Sequence, residues 1–145
     1  MSERYRSIVD LHLVLVRDGQ TLLSRRYNTG YADGLYHCVS GHLEDQESVI
    51  DGVIREAKEE VGITVDPQDL RCVHVMHQRS EGNGRVGFFF QADRWQGEPT
   101  NLEPDKCDDL SWFPVGQLPQ NMVPYPAVGL AAISGGEQFS LFGWS

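Results

Sequence analysis

The sequence predicts an α/β protein in which a mixed β-sheet is packed between helices, an α/β/α sandwich. Three observations predict it. Strand-like runs outnumber helical ones, one strongly amphipathic helix lies mid-chain, and no linker, repeat or low-complexity stretch divides the 145 residues. A chain of that length is near the usual size of one domain, so a single domain is expected over residues 1–145.

The elements follow in order. Residues 7–16 alternate and are rich in Val, Leu and Ile, which reads as a strand. Asp18-Gly19 is a turn signal, and residues 21–26 read as the return strand. Residues 27–34 are polar, contain glycine and read as a loop; residues 35–39 read as a short strand. Ser48, with Asp51 three residues on, resembles a capping box, and Gly62 suits the position just past a helix end. A helix is therefore placed over 49–61. Two strands follow over 70–77 and 86–92, joined by a Gly-rich turn at 80–85. Residues 111–115 read as another short strand, and 127–133, preceded by Pro124 and Pro126, as a second helix.

Composition bounds the function. Apolar residues are 40% and charged residues 23%, ordinary for a soluble globular protein. No run of ~20 apolar residues could span a bilayer. The N-terminal apolar stretch is interrupted by Asp10 and bounded by Arg17 and Asp18; it lacks a small-residue cleavage site and reads as a strand. Cys38, Cys72 and Cys107 are odd in number and far apart, which fits structural thiols in a reducing, cytoplasmic setting. His74 and His77, three apart in a strand, point to opposite faces and make a poor zinc pair. The net charge of −9 disfavours binding to a nucleic-acid duplex. A phosphorylated substrate would need positive charge from elsewhere, and a divalent metal is the natural source.

The mid-chain helix poses the sharpest question. At ~100° per residue, Ile50, Ile54, Ala57 and Val61 form a core face, with Val53 at its edge. Glu56, Glu59 and Glu60 gather on another side at i, i+3 and i+4. Gly52 lies one turn earlier on that side and leaves a gap for close approach. A solvated acidic face would explain the cluster. So would a divalent-cation site, because Mg²⁺ takes hard oxygen ligands and often adds phosphate oxygens.

The wider spacing decides. Gly41, five residues, Glu47, seven residues, Arg55-Glu56-Ala57, one residue, Glu59-Glu60, one residue, Gly62-Ile63: this resembles the Nudix box, G-x5-E-x7-R-E-U-x-E-E-x-G-U, with U aliphatic. Seven fixed residues would coincide by chance at roughly one in 10⁸ per start position. The box covers residues 41–63, and the flanking strand order resembles the Nudix fold over most of the chain.

The resemblance implies a loop–helix–loop that binds Mg²⁺ (or Mn²⁺) on a substrate diphosphate. Glu56, Glu59 and Glu60 become metal ligands, joined by the Ser40 backbone carbonyl. Arg55 and Glu47 become residues that orient those carboxylates. Gly41 and Gly62 are positions of backbone shape. Hydrolysis by water needs a general base, and R-W-Q-G-E-P resembles the region that supplies one in MutT-like members. Glu103 is the preferred base there, ahead of Glu59 or Glu60; Glu98, Asp105, Asp108 and Asp109 are weaker candidates, and Glu98 reads better as a solvated loop carboxylate. Arg26, ending the second strand, and His42, beside Gly41, are candidate phosphate contacts, with Arg25 facing the other way. Asn121 is a candidate reader of a base edge. Tyr36, Phe88, Phe90 and Trp112 could stack on a base but more often belong to a core. Where relatives read L-P-G-G, this chain has Cys38-Val39-Ser40-Gly41, which leaves a carbonyl ligand intact while changing the shape around it.

The resemblance implies a nucleotide as small-molecule substrate, with no membrane and no duplex as partner. Monomer and homodimer both stay open. The first expectation is hydrolysis of a nucleoside triphosphate to monophosphate and pyrophosphate. ADP-ribose or another nucleotide sugar is the second, and a non-catalytic nucleotide sensor the third; the intact glutamate set speaks against the sensor.

Overall fold

The computed structural model describes residues 3–144. Strands β1 (Ile8–Arg17) and β2 (Gln20–Arg26) form a hairpin across Asp18-Gly19. Both turn residues have positive φ, 53° and 73°, the twist a two-residue hairpin turn demands. The chain then makes two short strands, β3 (Tyr36–His37) and β4 (Val39–His42), before helix α1 (Val49–Val61). A 3₁₀ turn at Pro67–Asp69 leads to β5 (Arg71–Ser80), β6 (Asn83–Ala92), β7 (Cys107–Pro114), helix α2 (Pro124–Ser134) and β8 (Phe139–Phe142).

The sheet order is β3-β2-β1-β6-β5-β8, with β4 also pairing β1 and β7 pairing β2. β1 runs parallel to β6 and β5 parallel to β8, while the other pairs are antiparallel, so the sheet is mixed. Period-two alternation along β1 builds two cores. Leu11, Leu13 and Leu15 pack with Val53, Ala57 and Val61 of α1. Val14, with Leu23, Met76 and Phe89, packs toward Leu130 of α2. Helices thus lie on both faces of the sheet, as the sequence predicts. Tyr36 and Phe90 are buried in these cores, and Phe88 and Trp112 pack against them.

Four differences from the sequence reading have physical causes. The expected strand at 35–39 breaks at Cys38, because the chain leaves its pairing with β2 to pair β4 with β1. The expected turn at 80–85 shrinks to Glu81-Gly82: both take positive φ, 52° and 81°, and the ladder runs on to Ser80 and Asn83. β7 starts at Cys107, four residues before expectation, because Arg26 pairs with Cys107 beyond a register shift. β8 has no local signal; it exists because Phe139–Phe142 pairs with Val75–Gln78.

Helix α1 begins and ends as expected. Ser48 Oγ accepts from Asp51 N at 3.1 Å, and Gly62, at φ 74°, donates its N–H to the Lys58 carbonyl. Its packed face is rotated, however. Val53, expected at the edge, is 1% exposed, while Ile50 and Ile54 are only half-buried. The cause is Gly52. A Cβ there would meet Leu11 Cδ1 at 2.5 Å, so the bare backbone lets β1 press against that side of the helix.

Candidate active site

Arg55 organises the outer part of the site. Its Nε and Nη2 grip Glu47 at 3.0 and 2.8 Å, Nη1 reaches Glu56 at 2.8 Å and Glu59 at 3.3 Å, and Nη2 also donates to the His42 carbonyl. Glu47 in turn accepts from the Glu44 N–H at 2.8 Å, which ties the preceding loop to the helix. The Arg55 hydrogen bond holds the Glu47 carboxyl below the usual carboxylate range, and Glu47 leads the contacts that raise Arg55. A planar fork is needed for so many acceptors, which an ammonium could not serve.

Gly41 sits directly on Glu56: a Cβ there would lie 2.0 Å from Glu56 Oε1. Strand β4 therefore touches the carboxylate through bare backbone. Glu60 lies deeper. Its Oε2 is buried with no hydrogen-bond partner among the described residues. Burial, then a hydrogen bond with Glu56 and the charges of Glu56 and Glu103, push the Glu60 carboxyl well above its ordinary range, while the Ser40 backbone pulls the other way.

Glu103 reaches this group because its loop finishes the helix. The last carbonyls of an α-helix lack intrahelical partners. Here Leu102 N–H donates to Glu60 O at 3.2 Å and Thr100 N–H to Val61 O at 3.0 Å. Asn101 then shapes the loop, accepting from Glu103 N–H at 3.0 Å and donating to Cys107 O at 2.8 Å. Asn101 was not singled out from sequence; only its two backbone partners reveal it.

Glu56 and Glu60 thus lie together beside Ser40, with Glu103 near enough for its charge to act on Glu60. Carboxylates this close, one with an orphaned oxygen, repel one another until a cation joins them. Hard oxygen donors from side chains and backbone suit Mg²⁺ or Mn²⁺. Glu59 stands further out, with a 58% exposed side chain leaning on Arg55.

Three other carboxylates of that region are engaged elsewhere. Glu98 pairs with Arg17 at 2.9 Å, Asp108 with Arg25 at 2.7 Å, and Asp109 accepts from Tyr36 and Ser111.

A cavity of about 490 Å³ opens beside Ser40 and Gly41, lined among others by Asp10, Arg26, His37, His42, Gln78, Arg85 and Tyr125. Arg26 faces it, held by the Tyr31 carbonyl at 2.7 Å and Thr29 Oγ1 at 3.1 Å, and pairs with no carboxylate among the described residues. Arg25 turns away to Asp108, as alternation predicts. His42 Nε2 lies 3.1 Å from Arg85, whose guanidinium is clamped on buried Asp10 at 2.7 and 2.6 Å. Asn121 is not among the lining residues; its amide donates to the Gly34 carbonyl at 3.1 Å.

A family model described as the NUDIX domain matches residues 6–132. This chain belongs to the Nudix family. The chain is 28% identical to a MutT NUDIX hydrolase from Burkholderia pseudomallei, with a TM-score of 0.79 over 88% of this chain and 98% of that one. The MutT protein from Methanosarcina mazei Go1 shares the fold at 20% identity and a TM-score of 0.75, over 92% of this chain and 97% of that one. Among curated proteins, the NAD-capped RNA hydrolase NudC of Stutzerimonas stutzeri (strain A1501) is 32% identical over 107 residues, 74% of this chain. The alignment covers 37% of that relative's own length, so the Nudix hydrolase described here spans well under half of the curated proteins it matches.

Proposed function

We propose that this Nudix hydrolase cleaves a nucleoside triphosphate to monophosphate and pyrophosphate with Mg²⁺ or Mn²⁺. The observation that supports it most is the buried Glu60 oxygen without a partner, beside Glu56 and next to a cavity whose Arg26 carries an unneutralised charge. Glu56, Glu59, Glu60 and the Ser40 carbonyl would hold the metal. When bound, it neutralises diphosphate oxygens and makes water acidic enough to attack phosphorus.

The chain's own residues do the rest. Arg55 holds Glu47, Glu56 and Glu59 in one arrangement before substrate arrives, which avoids reorganisation during reaction. Glu103, carried to Glu60 by the Asn101 loop, accepts the proton of the attacking water. Arg26 binds a phosphate, and His42 stands beside the path from Gly41 into the cavity.

A second reading draws on the curated relatives. They are named as hydrolases of NAD-capped RNA, NAD itself joins two nucleosides through a diphosphate, and the same glutamates would serve a diphosphate linked to a nucleoside or a sugar. One panel separates these readings. Purified protein with Mg²⁺ is given nucleoside triphosphates, ADP-ribose, nucleotide sugars and NAD, and the released phosphates are measured. Faster turnover of triphosphates supports the first reading. Faster turnover of the linked diphosphates overturns it, and nucleotide binding without any turnover points to a sensor.

A further inference from the structure

The cavity wall contains a short proton relay whose direction can be worked out. His37 Nδ1 lies 2.9 Å from the Cys38 carbonyl oxygen, and His37 Nε2 lies 2.9 Å from the Tyr125 hydroxyl. A carbonyl only accepts, so Nδ1 carries the proton. His37 is 4% exposed, and burial pushes its pKa down to about 4, so the ring is neutral at pH 7 and Nε2 is bare. Tyr125 must therefore donate to Nε2. Its one proton is spent, and what it offers the cavity is an oxygen that can only accept.

Gln78 lines the same cavity. It is 6% exposed, and its amide makes no side-chain hydrogen bond among the described residues. With no side-chain partner of its own, that amide is open to the cavity and can serve a ligand there. Of the neighbouring charged groups, Arg85 is committed to Asp10, and Arg26, held only by neutral acceptors, is left for phosphate. Behind them His12, 1% exposed, stacks on Phe89 at 4.4 Å and closes the floor.

We propose that Tyr125 and Gln78 read the nucleobase, and that together they select a base carrying an exocyclic amino group. The amino hydrogens satisfy the Tyr125 oxygen, and the Gln78 amide pairs with the adjoining edge. An amide offers a donor beside an acceptor and suits such an edge. Bases that present only a carbonyl there would leave the Tyr125 oxygen facing another acceptor. This inference rests on the nucleotide reading above.

The test uses equilibrium binding, which is independent of turnover. Titration calorimetry with Mg²⁺ compares AMP with purine riboside monophosphate, and GMP with IMP; each pair differs in one amino group. The amino-bearing member of at least one pair should bind about tenfold more tightly, the usual penalty for an unpaired buried polar group. Tyr125→Phe, which keeps the ring, should bring that ratio below about twofold, and Gln78→Met should weaken both members of the preferred pair. Ratios near one in the wild type, or no binding of any monophosphate, would each overturn the inference. If Tyr125→Phe does not fold, the wild-type ratios and Gln78→Met still decide. Discrimination in binding without hydrolysis would remove the proposed reaction and leave the base reading standing.

Discussion

Gly41 and Glu56 occupy a contact that no side chain could share, since a Cβ on residue 41 would stand 2.0 Å from Glu56 Oε1. The atom it would strike is the far end of a side chain, held there by Arg55 at 2.8 Å. Gly41→Ala should therefore move the carboxylate rather than unfold the strand. We expect kcat to fall by ~10², the cost of misplacing a reacting group by about 1 Å, with the melting temperature nearly unchanged. Steady-state kinetics and a thermal melt check both halves. A large loss of stability with full activity in the surviving protein would contradict this account of the glycine.

Glu60 carries the most exposed claim about metal. Glu60→Gln should lower kcat by at least ~10². Without metal, the variant should melt no lower than the wild type, because the change removes a carboxyl whose ionised form burial and neighbouring Glu56 disfavour. Adding Mg²⁺ should raise the wild-type melting temperature by linkage and leave the variant where it was. Equal Mg²⁺ shifts in both proteins would remove Glu60 from the ligand set.

Glu103 is separated from the ligands by the same pair of measurements. As base, Glu103→Gln should lose about 10² in kcat yet keep its Mg²⁺-induced stabilisation. Asn101→Ala should reproduce part of that loss, since Asn101 accepts from the Glu103 N–H and holds the loop at Cys107. An unchanged rate in Glu103→Gln would pass the base role to Glu59 or another group.

His37 sets a pH dependence of stability. Burial lowers its pKa to about 4, against about 6.5 in an unfolded chain. Between those values the unfolded chain binds a proton that the folded protein refuses. Stability from this group is therefore full above pH ~6.5 and is lost as pH falls toward 4, by on the order of 3 kcal/mol in total. Urea melts from pH 7 to pH 5 should show the fall, and His37→Gln should make it shallower, with buried His12, whose pKa burial also lowers, supplying the rest. An unchanged slope after the substitution would assign the effect to other groups.

Several features could be read before any coordinates because their causes are local. The α1 helix is bounded by a cap at Ser48 and a left-handed residue at Gly62, both interactions within the segment itself. The β1–β2 hairpin turns on the adjacent Asp18 and Gly19, and Arg25 and Arg26 diverge because a strand alternates. β8 could not be read this way. Its four residues carry no strong pattern, and they become a strand only by lying parallel to β5. The rotation of α1 was hidden for a related reason. Hydrophobic periodicity reports a face, but which turn presses closest was decided by Leu11 meeting Gly52.

What the sequence determined by itself was the grouping of carboxylates on the helix: Glu56, Glu59 and Glu60 share a side, with Arg55 beside them, by helical geometry, while the seven-residue spacing carried only the resemblance to the Nudix family. What only the tertiary structure decided was the cavity and the reach of Glu103. His37, Gln78, Arg85 and Tyr125 come from β3, β5, β6 and α2, and the charge of Glu103 acts on Glu60 because its loop caps the helix carbonyls. The physical reason is range. Spacing along a helix is set by its own backbone hydrogen bonds, whereas a pocket is set by which strands pair, and pairing depends on residues far apart in the chain.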